Sequence, residues 1–241
     1  MSDDANETPQ SPSFLPYPCE CLAEYAQLGA AFRPPLHVEV QDEGVAGWQQ
    51  LTKLVDDFEQ SGATFLAPSK HIPWEHWQHV ITLPREVAAL TCVQEFLAYG
   101  SNLRRLPPEI GRMSSLRKFD IYTSYALHWL PYEIMRCQDL YWSAMSTRTL
   151  YGNRKTRLPF PRLSNPIDVL MPETCSVCDL PFEGRSPQVY WTTQRVGTDD
   201  VPLLIHGCSY ACIEQVPSAP PGYVARPHRG GSDSALPADY W

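Results

Sequence analysis

The sequence predicts an α/β fold: a short solenoid of stacked repeats with parallel strands, followed by a small α+β domain built around clustered cysteines. Three observations lead to this prediction. A short phrase returns every 23 to 24 residues, two pairs of closely spaced cysteines lie near the C-terminus, and the 241 residues include 24 prolines. This proline share is about twice the usual one of roughly 5%, so a bundle of long helices is not favoured. The length exceeds that of one average domain, which agrees with two modules.

The repeated phrase starts with leucine and proline and ends with glutamate and a β-branched residue. It occurs at Leu83–Val87, Leu106–Ile110 and Leu130–Ile134. Further apolar residues follow each copy at matching offsets. This pattern is typical of units that stack because none can bury its own apolar face. The third copy has Ser143 where the first two have Phe96 and Phe119, so we interpret it as a terminal repeat.

These in-register phrases, over about residues 81–153, resemble the leucine-rich-repeat family, in particular its short-unit class with one L-P-x-x-I phrase per repeat. The resemblance implies a curved right-handed solenoid with one short parallel strand per repeat on its concave side. In the family an asparagine normally stands at the end of each strand. This chain has Ser101 and Ser124 at that offset, with Asn102 beside the first, so we expect a weakened asparagine ladder.

The region before the repeats divides into two parts. Residues 1–18 combine prolines with serines and acidic residues, and this composition predicts a disordered leader. Residues 19–80 form an N-terminal segment with a predicted helix from Val45 to Phe58, because the apolar residues of this stretch fall on one helical face. We expect this helix to cover the first end of the repeat array.

After the repeats, prolines punctuate a predicted linker over residues 154–172, which leads to a second domain at 173–230 and a tail at 231–241. In this domain Cys175 and Cys178 precede two extended segments joined by a turn, and Cys208 and Cys212 follow them. This order looks like that of a treble-clef zinc module.

The cysteine spacing agrees with a structural zinc site. Two cysteines two residues apart can occupy adjacent corners of a tetrahedron, and Cys208 and Cys212, four residues apart, would share one face of a helix. The predicted ligands are Cys175, Cys178, Cys208 and Cys212, with His206 as the alternative to Cys212. A disulfide or merely buried thiols are the second interpretation, and a catalytic metal is the third.

The other cysteines carry weaker signals. Cys137 stands at an apolar offset of the third repeat, where a buried thiol is the expected state. Cys19 and Cys21 alternate in a proline-flanked segment, and a metal or redox role for them is left open but not favoured. His128, next to Trp129 in the loop before the third phrase, is interpreted as a packed or hydrogen-bonded residue rather than a ligand.

The concave face supplies the candidate binding residues. Side chains alternate along a strand, so the positions between the buried offsets point to this face. The candidates are Glu95, Tyr99, Arg117, Lys118, Asp120, Tyr122, Tyr141 and Trp142. Rigid aromatics with a few charges are typical of protein-binding surfaces, so we predict an adaptor or scaffold for a protein partner. In the alternative interpretation, the zinc domain or the N-terminal segment folds over this face.

The net charge of the chain and the motifs that it lacks argue against several classes of function. The formal net charge of -8 opposes binding to nucleic acid through phosphate neutralisation, so a nucleic-acid-binding zinc module is disfavoured. An effector enzyme of the ubiquitin-ligase type would need a reactive cysteine in a helical domain of its own, for which no segment is large enough. The sequence has no Gly-rich phosphate loop and no nucleophile elbow. We expect a monomeric, non-catalytic protein.

The location of the protein is predicted from segments that the sequence lacks. Its N-terminus has acidic residues and prolines where a signal peptide would have a basic start and an apolar stretch. No apolar run reaches the length of a membrane span. We therefore expect a cytoplasmic protein without a membrane segment, in which thiols stay reduced.

Overall fold

The computed structural model describes residues 19–163 and 171–231, so the predicted leader, part of the linker and most of the tail lie outside the described residues. The helices are α1 (Glu20–Leu28), α2 (Ala46–Ser61), α3 (Trp74–Trp77) and α4 (Tyr210–Glu214). The strands are β1 (Phe65–Leu66), β2 (Glu95–Leu97), β3 (Lys118–Ile121), β4 (Leu130–Pro131), β5 (Trp142–Met145), β6 (Gln188–Val196) and β7 (Asp199–Gly207). Short 3₁₀ helices span Gly29–Ala31, Pro68–Lys70, Arg85–Ala89, Pro108–Arg112, Tyr132–Arg136 and Thr147–Thr149. The fold is mixed α/β with two sheets and little helix.

The repeats appear as a parallel sheet with the strand order β1-β2-β3-β5. Its register joins equivalent positions of successive repeats, because Lys118 of β3 pairs with Glu95 on one side and with Trp142 on the other. The leucines that open the three phrases are buried in one common core. Strand β1, which extends the sheet before the first phrase, lies in the segment for which the sequence predicted only a helix.

Each Leu-Pro phrase starts a 3₁₀ helix, and the proline explains where that helix begins. Pro84, Pro107 and Pro131 have φ angles of -68°, -72° and -68° at the residue before the first turn. These angles lie in the range to which the pyrrolidine ring restricts φ. The β-branched residue that ends the phrase is buried in each turn, so the phrase directs one apolar side chain from every repeat into the core.

A ladder of serines occupies the strand ends where the sequence predicted a weakened asparagine ladder. The hydroxyl groups of Ser101 and Ser124 lie 2.7 Å apart, and both residues are buried. One repeat further, the hydroxyl of Ser146 accepts a hydrogen bond of 2.8 Å from the backbone N–H of Thr123. The hydroxyls thus satisfy buried polar groups of the strand ends. This is the role that was expected of the asparagine side chains whose positions the serines occupy.

Ser143 replaces a core phenylalanine because another part of the chain fills its place. The β6–β7 hairpin brings its turn against β5, where the Ser143 hydroxyl donates to the carbonyl of Val196 at 2.7 Å and accepts from the N–H of Thr198 at 3.1 Å. A Cβ on Gly197 would approach the Ser143 nitrogen to 2.7 Å, so the turn can lie this close to β5 only with glycine at position 197. The hairpin therefore closes the core at the last repeat.

The predicted boundary between repeats and cysteine domain stays a prediction, but strong contacts cross it. Strand β7 pairs antiparallel with β6 and parallel with β4, so a three-stranded sheet combines one strand of the repeats with two of the cysteine domain. Val196, Val201 and Leu203 of the hairpin belong to the same core as the repeats. Folding of the hairpin and of the last repeat should therefore be coupled.

At the N-terminal end of the repeat array, helix α2 buries Leu51, Leu54 and Val55 in the same core as the first repeat. This is the helix that apolar spacing predicted from Val45 to Phe58, and it runs three residues further, to Ser61. Gly62 ends it with a φ of +63°, a left-handed conformation that glycine adopts without steric cost. Within the described residues, no helix is long and apolar enough to cross a membrane.

Candidate metal centres and exposed repeat face

The four predicted cysteine ligands come together in one cluster. Sγ of Cys208 lies 3.7 Å from Sγ of Cys178 and 3.5 Å from Sγ of Cys212, and all four sulfur atoms, including that of Cys175, lie within 4.8 Å of one another. Four sulfurs about 2.3 Å from a zinc ion would stand roughly 3.8 Å apart in a tetrahedron. These residues could therefore hold one metal ion.

The local fold explains how each pair reaches the cluster. Cys175 and Cys178 lie in a tight turn in which the N–H of Asp179 donates to the carbonyl of Cys175 at 3.0 Å. Cys208 follows the end of β7, and its N–H donates to Sγ of Cys175 at 3.2 Å. The expectation that Cys208 and Cys212 share one helix face is wrong, because α4 begins at Tyr210, with Ser209 as its N-cap. Of these two cysteines, only Cys212 lies in the helix.

His206, the alternative fourth ligand, is not among the four clustered groups. Its side chain is buried, and its backbone N–H donates to the hydroxyl of Ser176 at 2.8 Å. Burial lowers the pKa of the imidazole to about 4, so the ring is neutral at pH 7. The cluster contains Cys212 at the position for which His206 was the alternative.

The sulfurs differ in their readiness to ionise. Although burial raises the pKa of Cys175, backbone N–H groups, those of Cys178 and Cys208 foremost, lower it to about 7. Burial raises the pKa of Cys212 to about 12. A thiolate is the species that binds metal, so Cys175 is already close to the ligand form, whereas a cation would have to draw the proton from Cys212.

Two arginines from equivalent repeat positions fasten the cysteine turn to the 3₁₀ helices. Arg112 and Arg136 lie 3.1 Å and 3.0 Å from the carboxylate of Asp179, the residue after Cys178. Arg136 also donates to the carbonyl of Cys175 at 2.9 Å. Nothing in the repeat pattern pointed to this role, because arginine at an exposed repeat position is ordinarily a solvated side chain.

Glu133 of the third phrase is buried beside these arginines, and neither of its carboxylate oxygens has a hydrogen-bond partner among the described residues. Burial raises its pKa from 4.5 to about 7, and the neighbouring Ser176 hydroxyl and the charge of Arg136 oppose the rise only in part. The folded state therefore favours the protonated acid. This contribution to stability is complete below about pH 4.5 and is lost as the pH rises through 7.

We expect Glu133→Gln to become more stable relative to the wild type as the pH rises, because the amide mimics the neutral acid. Between about pH 6 and pH 8.5 the difference in free energy of unfolding should shift by about 1.4 kcal/mol in favour of the variant. Urea denaturation at several pH values measures it. Glu86→Gln, at the exposed equivalent position of the first repeat, is the control. A pH-independent difference for Glu133→Gln would contradict the prediction.

A second cluster includes Cys19 and Cys21, for which a metal role was left open but not favoured, and two histidines for which no metal role was predicted. Cys19, Cys21, His37 and His128 each place one ligand atom within 4.8 Å of the others. His128 is fully buried, as expected of a packed histidine, but it lies against His37 with ring centroids 5.2 Å apart. Only the alternating cysteines are close in sequence. A single C-x-C pair and two distant histidines have no recognisable spacing, which is why the sequence did not reveal the cluster.

The predicted binding residues lie on the exposed side of the parallel sheet. Tyr99, Tyr122 and Tyr141 are 57%, 49% and 61% exposed, and the rings of the first two lie 6.1 Å apart. Between the tyrosines, Lys118 forms an ion pair of 2.8 Å with Glu95. The remaining candidates lie beside them: Arg117 is exposed, and Asp120 and Trp142 are partly buried. The three tyrosines are buried neither by the β6–β7 hairpin nor by the described N-terminal residues.

Comparisons with known proteins give few matches. No protein-family model matches the chain, and no curated protein does. Among solved structures, the chain is similar to an LRR protein of Leptospira interrogans, with 22% sequence identity and a TM-score of 0.29. The similarity covers 54% of this chain and 36% of that chain, so this chain aligns with about a third of the solved protein.

Proposed function

We propose that the protein is a non-catalytic interaction protein, a leucine-rich-repeat solenoid whose concave face binds another protein. A structural zinc ion at Cys175, Cys178, Cys208 and Cys212 holds the module that closes the last repeat. The observation that carries the binding role is the set of three exposed tyrosines on one face of the parallel sheet. Large exposed aromatics on one face are uncommon on a surface that meets only water.

The arrangement of this face suits a protein partner. Tyr99 and Tyr122 lie at one end of the strands and Tyr141 at the other, with Glu95 and Lys118 between them. Tyr141 stands at the position equivalent to Arg117, five residues before Tyr122, so the two ends are roughly 16 Å apart at 3.3 Å per residue. A helix or an extended segment of a partner could cover this span. Tyrosines bury a large area at low entropic cost, and the charges fix orientation.

The cysteine cluster supports a structural role for the metal. Four thiolates complete the tetrahedral coordination of zinc, whereas a catalytic zinc keeps one position for water or substrate. The turn that carries Cys175 and Cys178 is tied to the 3₁₀ helices through Asp179 and Arg136, and the hairpin between the two cysteine pairs seals the repeat core. The metal would thereby stabilise the platform that presents the binding face.

Substitution of the tyrosines tests the binding face. We expect the double variant Tyr99→Ala/Tyr122→Ala and the single variant Tyr141→Ala each to weaken binding of the partner by about tenfold or more, since truncation of a central aromatic costs about 2 kcal/mol. The partner is first captured with wild-type protein, and its affinity for each purified variant is then measured by titration calorimetry.

The matched control is Tyr210→Ala, because Tyr210 is as exposed as the three tyrosines but lies on the cysteine module. It should leave the affinity unchanged. Equal loss of affinity for Tyr210→Ala, or unchanged affinity for all tyrosine variants of the sheet, would remove the concave face as the binding site.

A further inference from the structure

We propose that Cys19, Cys21, His37 and His128 form a second metal site, a Cys₂His₂ zinc centre that fastens the N-terminal segment to the repeats. Sγ of Cys19 and Sγ of Cys21 each lie 3.3 Å from Nε2 of His37. Zinc bonds of about 2.3 Å to sulfur and about 2.0 Å to nitrogen place tetrahedral ligand atoms roughly 3.3 to 3.8 Å apart, with a sulfur and a nitrogen roughly 3.5 Å apart. The observed separations are close to what one zinc ion requires.

In both histidines the ring nitrogen that faces away from the cluster, Nδ1, forms a hydrogen bond, as is usual in metal-binding histidines. Nδ1 of His37 lies 2.9 Å from the carboxylate of Glu39, which in turn pairs with Arg104. Nδ1 of His128 donates to the carbonyl of Thr149. Such bonds fix the ring orientation and the tautomer, so that the lone pair of Nε2 is available to a metal. In His37 that nitrogen faces both sulfurs.

Nε2 of His128 is the strongest sign that something belongs in the cluster. The residue is fully buried, and this nitrogen has no hydrogen-bond partner among the described residues. Leaving a buried polar atom unsatisfied costs about 1 to 3 kcal/mol. A metal ion between the imidazoles and the thiols would satisfy it. Two thiolates with two imidazoles form a donor set that selects zinc over calcium or magnesium, which require oxygen ligands.

A reactive thiol is the competing interpretation, since Cys19, His37 and Glu39 lie in the order of a nucleophile, a base and an orienting acid. This interpretation uses one thiol and one imidazole. It leaves Cys21 equally close to the same nitrogen and gives His128 no part. A metal accounts for all four groups at once, so the geometry favours it.

The site explains how α1 is attached. Cys19 is its N-cap and Cys21 is its buried residue, whereas Leu22 and Tyr25 are only partly buried, so two proposed ligands stand where this helix contacts the rest of the chain. His37 comes from the following extended segment and His128 from the loop between β3 and β4. A metal here would join three distant parts of the chain, at the side of a cavity of about 700 Å³ also lined by Glu39, His79 and Arg104.

Metal analysis of the purified full-length chain tests the proposal, with zinc counted by mass spectrometry. We expect two zinc ions per wild-type chain. Cys19→Ser and His128→Ala should each lose one ion and keep the other, whereas His79→Ala, an exposed histidine of the same cavity, should keep both. Cys175→Ser should lose the ion of the four-cysteine cluster and keep the second, so the two sites are scored separately.

Cobalt substitution gives a second readout, the absorption spectrum of the bound ions in the wild-type chain and in a variant. Two cobalt ions with six thiolate ligands in total should give charge-transfer absorption that falls by about one third in Cys19→Ser/Cys21→Ser, with loss of the bands of a mixed sulfur–nitrogen site. One zinc per wild-type chain, retained in Cys19→Ser, would overturn the proposal. Rapid alkylation of Cys19 by iodoacetamide in zinc-loaded protein would overturn it too, in favour of the reactive thiol.

Discussion

Loss of the proposed zinc ion from the four-cysteine cluster should unfold the module that closes the repeats. Cys175→Ser is expected to lower the melting temperature by at least roughly 10 °C, because structural zinc supplies about 10 kcal/mol or more in small modules and each kcal/mol is worth about 2 to 4 °C in a chain of this size. The effect should reach the repeats, since β7 pairs with β4 and the hairpin shares the repeat core. Calorimetry and limited proteolysis measure both effects.

The matched control for this prediction is Cys92→Ser, because Cys92 is an exposed cysteine of the first repeat. It should melt like the wild type and keep its zinc. New proteolytic sites in Cys175→Ser are expected between residues 171 and 231 first. If Cys175→Ser retained the wild-type melting temperature and resisted proteolysis there, the metal would have no structural role in this module.

A second hydrophobic core includes Trp129, Tyr151, Phe160 and Trp191, and removal of the Trp191 side chain should be its most destabilising single truncation. The ring is fully buried, lies 5.6 to 5.9 Å from the rings of Phe160, Trp129 and Tyr151, and donates from Nε1 to the carbonyl of Pro161 at 3.0 Å. Trp191→Ala leaves a large cavity and an unpaired carbonyl, so we expect a loss of about 3 to 5 kcal/mol in free energy of unfolding.

Urea denaturation followed by circular dichroism measures this loss, because other tryptophans contribute to the fluorescence. Trp191→Phe should lose less, since it keeps most of the ring packing and gives up the Nε1 hydrogen bond. Tyr141→Ala, which removes an exposed ring, should change stability by less than about 0.5 kcal/mol. A Trp191→Ala variant as stable as Tyr141→Ala would show that the aromatic cluster does not tie the hairpin to the loop around Trp129.

The periodic part of the fold could be predicted from the sequence, because its cause is local and repeated. Leu83, Leu106 and Leu130 recur at intervals of 23 and 24 residues, and the strand pairs of the parallel sheet have the same two intervals. The absence of a phenylalanine at Ser143 was visible, but its reason was not. The residue accepts and donates hydrogen bonds to a hairpin more than 50 positions away. A contact between segments so far apart in the chain produces no periodic pattern in the sequence of either segment.

The two candidate metal clusters also differ in how far their residues are separated along the sequence. Cys175, Cys178, Cys208 and Cys212 could be predicted together because each pair is short-range and a hairpin naturally returns the chain to its start. Cys19 and Cys21 meet His37 within the N-terminal segment, but they meet His128 only because the repeat sheet positions the loop before β4. Their proximity depends on the tertiary fold, so spacing along the chain carried no information about it.

The serine at the edge of the sheet also bears on how copies of this chain would meet. An uncovered parallel edge at β5 would present free amide and carbonyl groups, to which a strand of another molecule could add. Here the N–H of Ser143 donates to the Thr198 hydroxyl, and that hydroxyl donates to the Ser143 carbonyl. The hairpin thus occupies the position where intermolecular strand addition would begin, which disfavours aggregation through that edge.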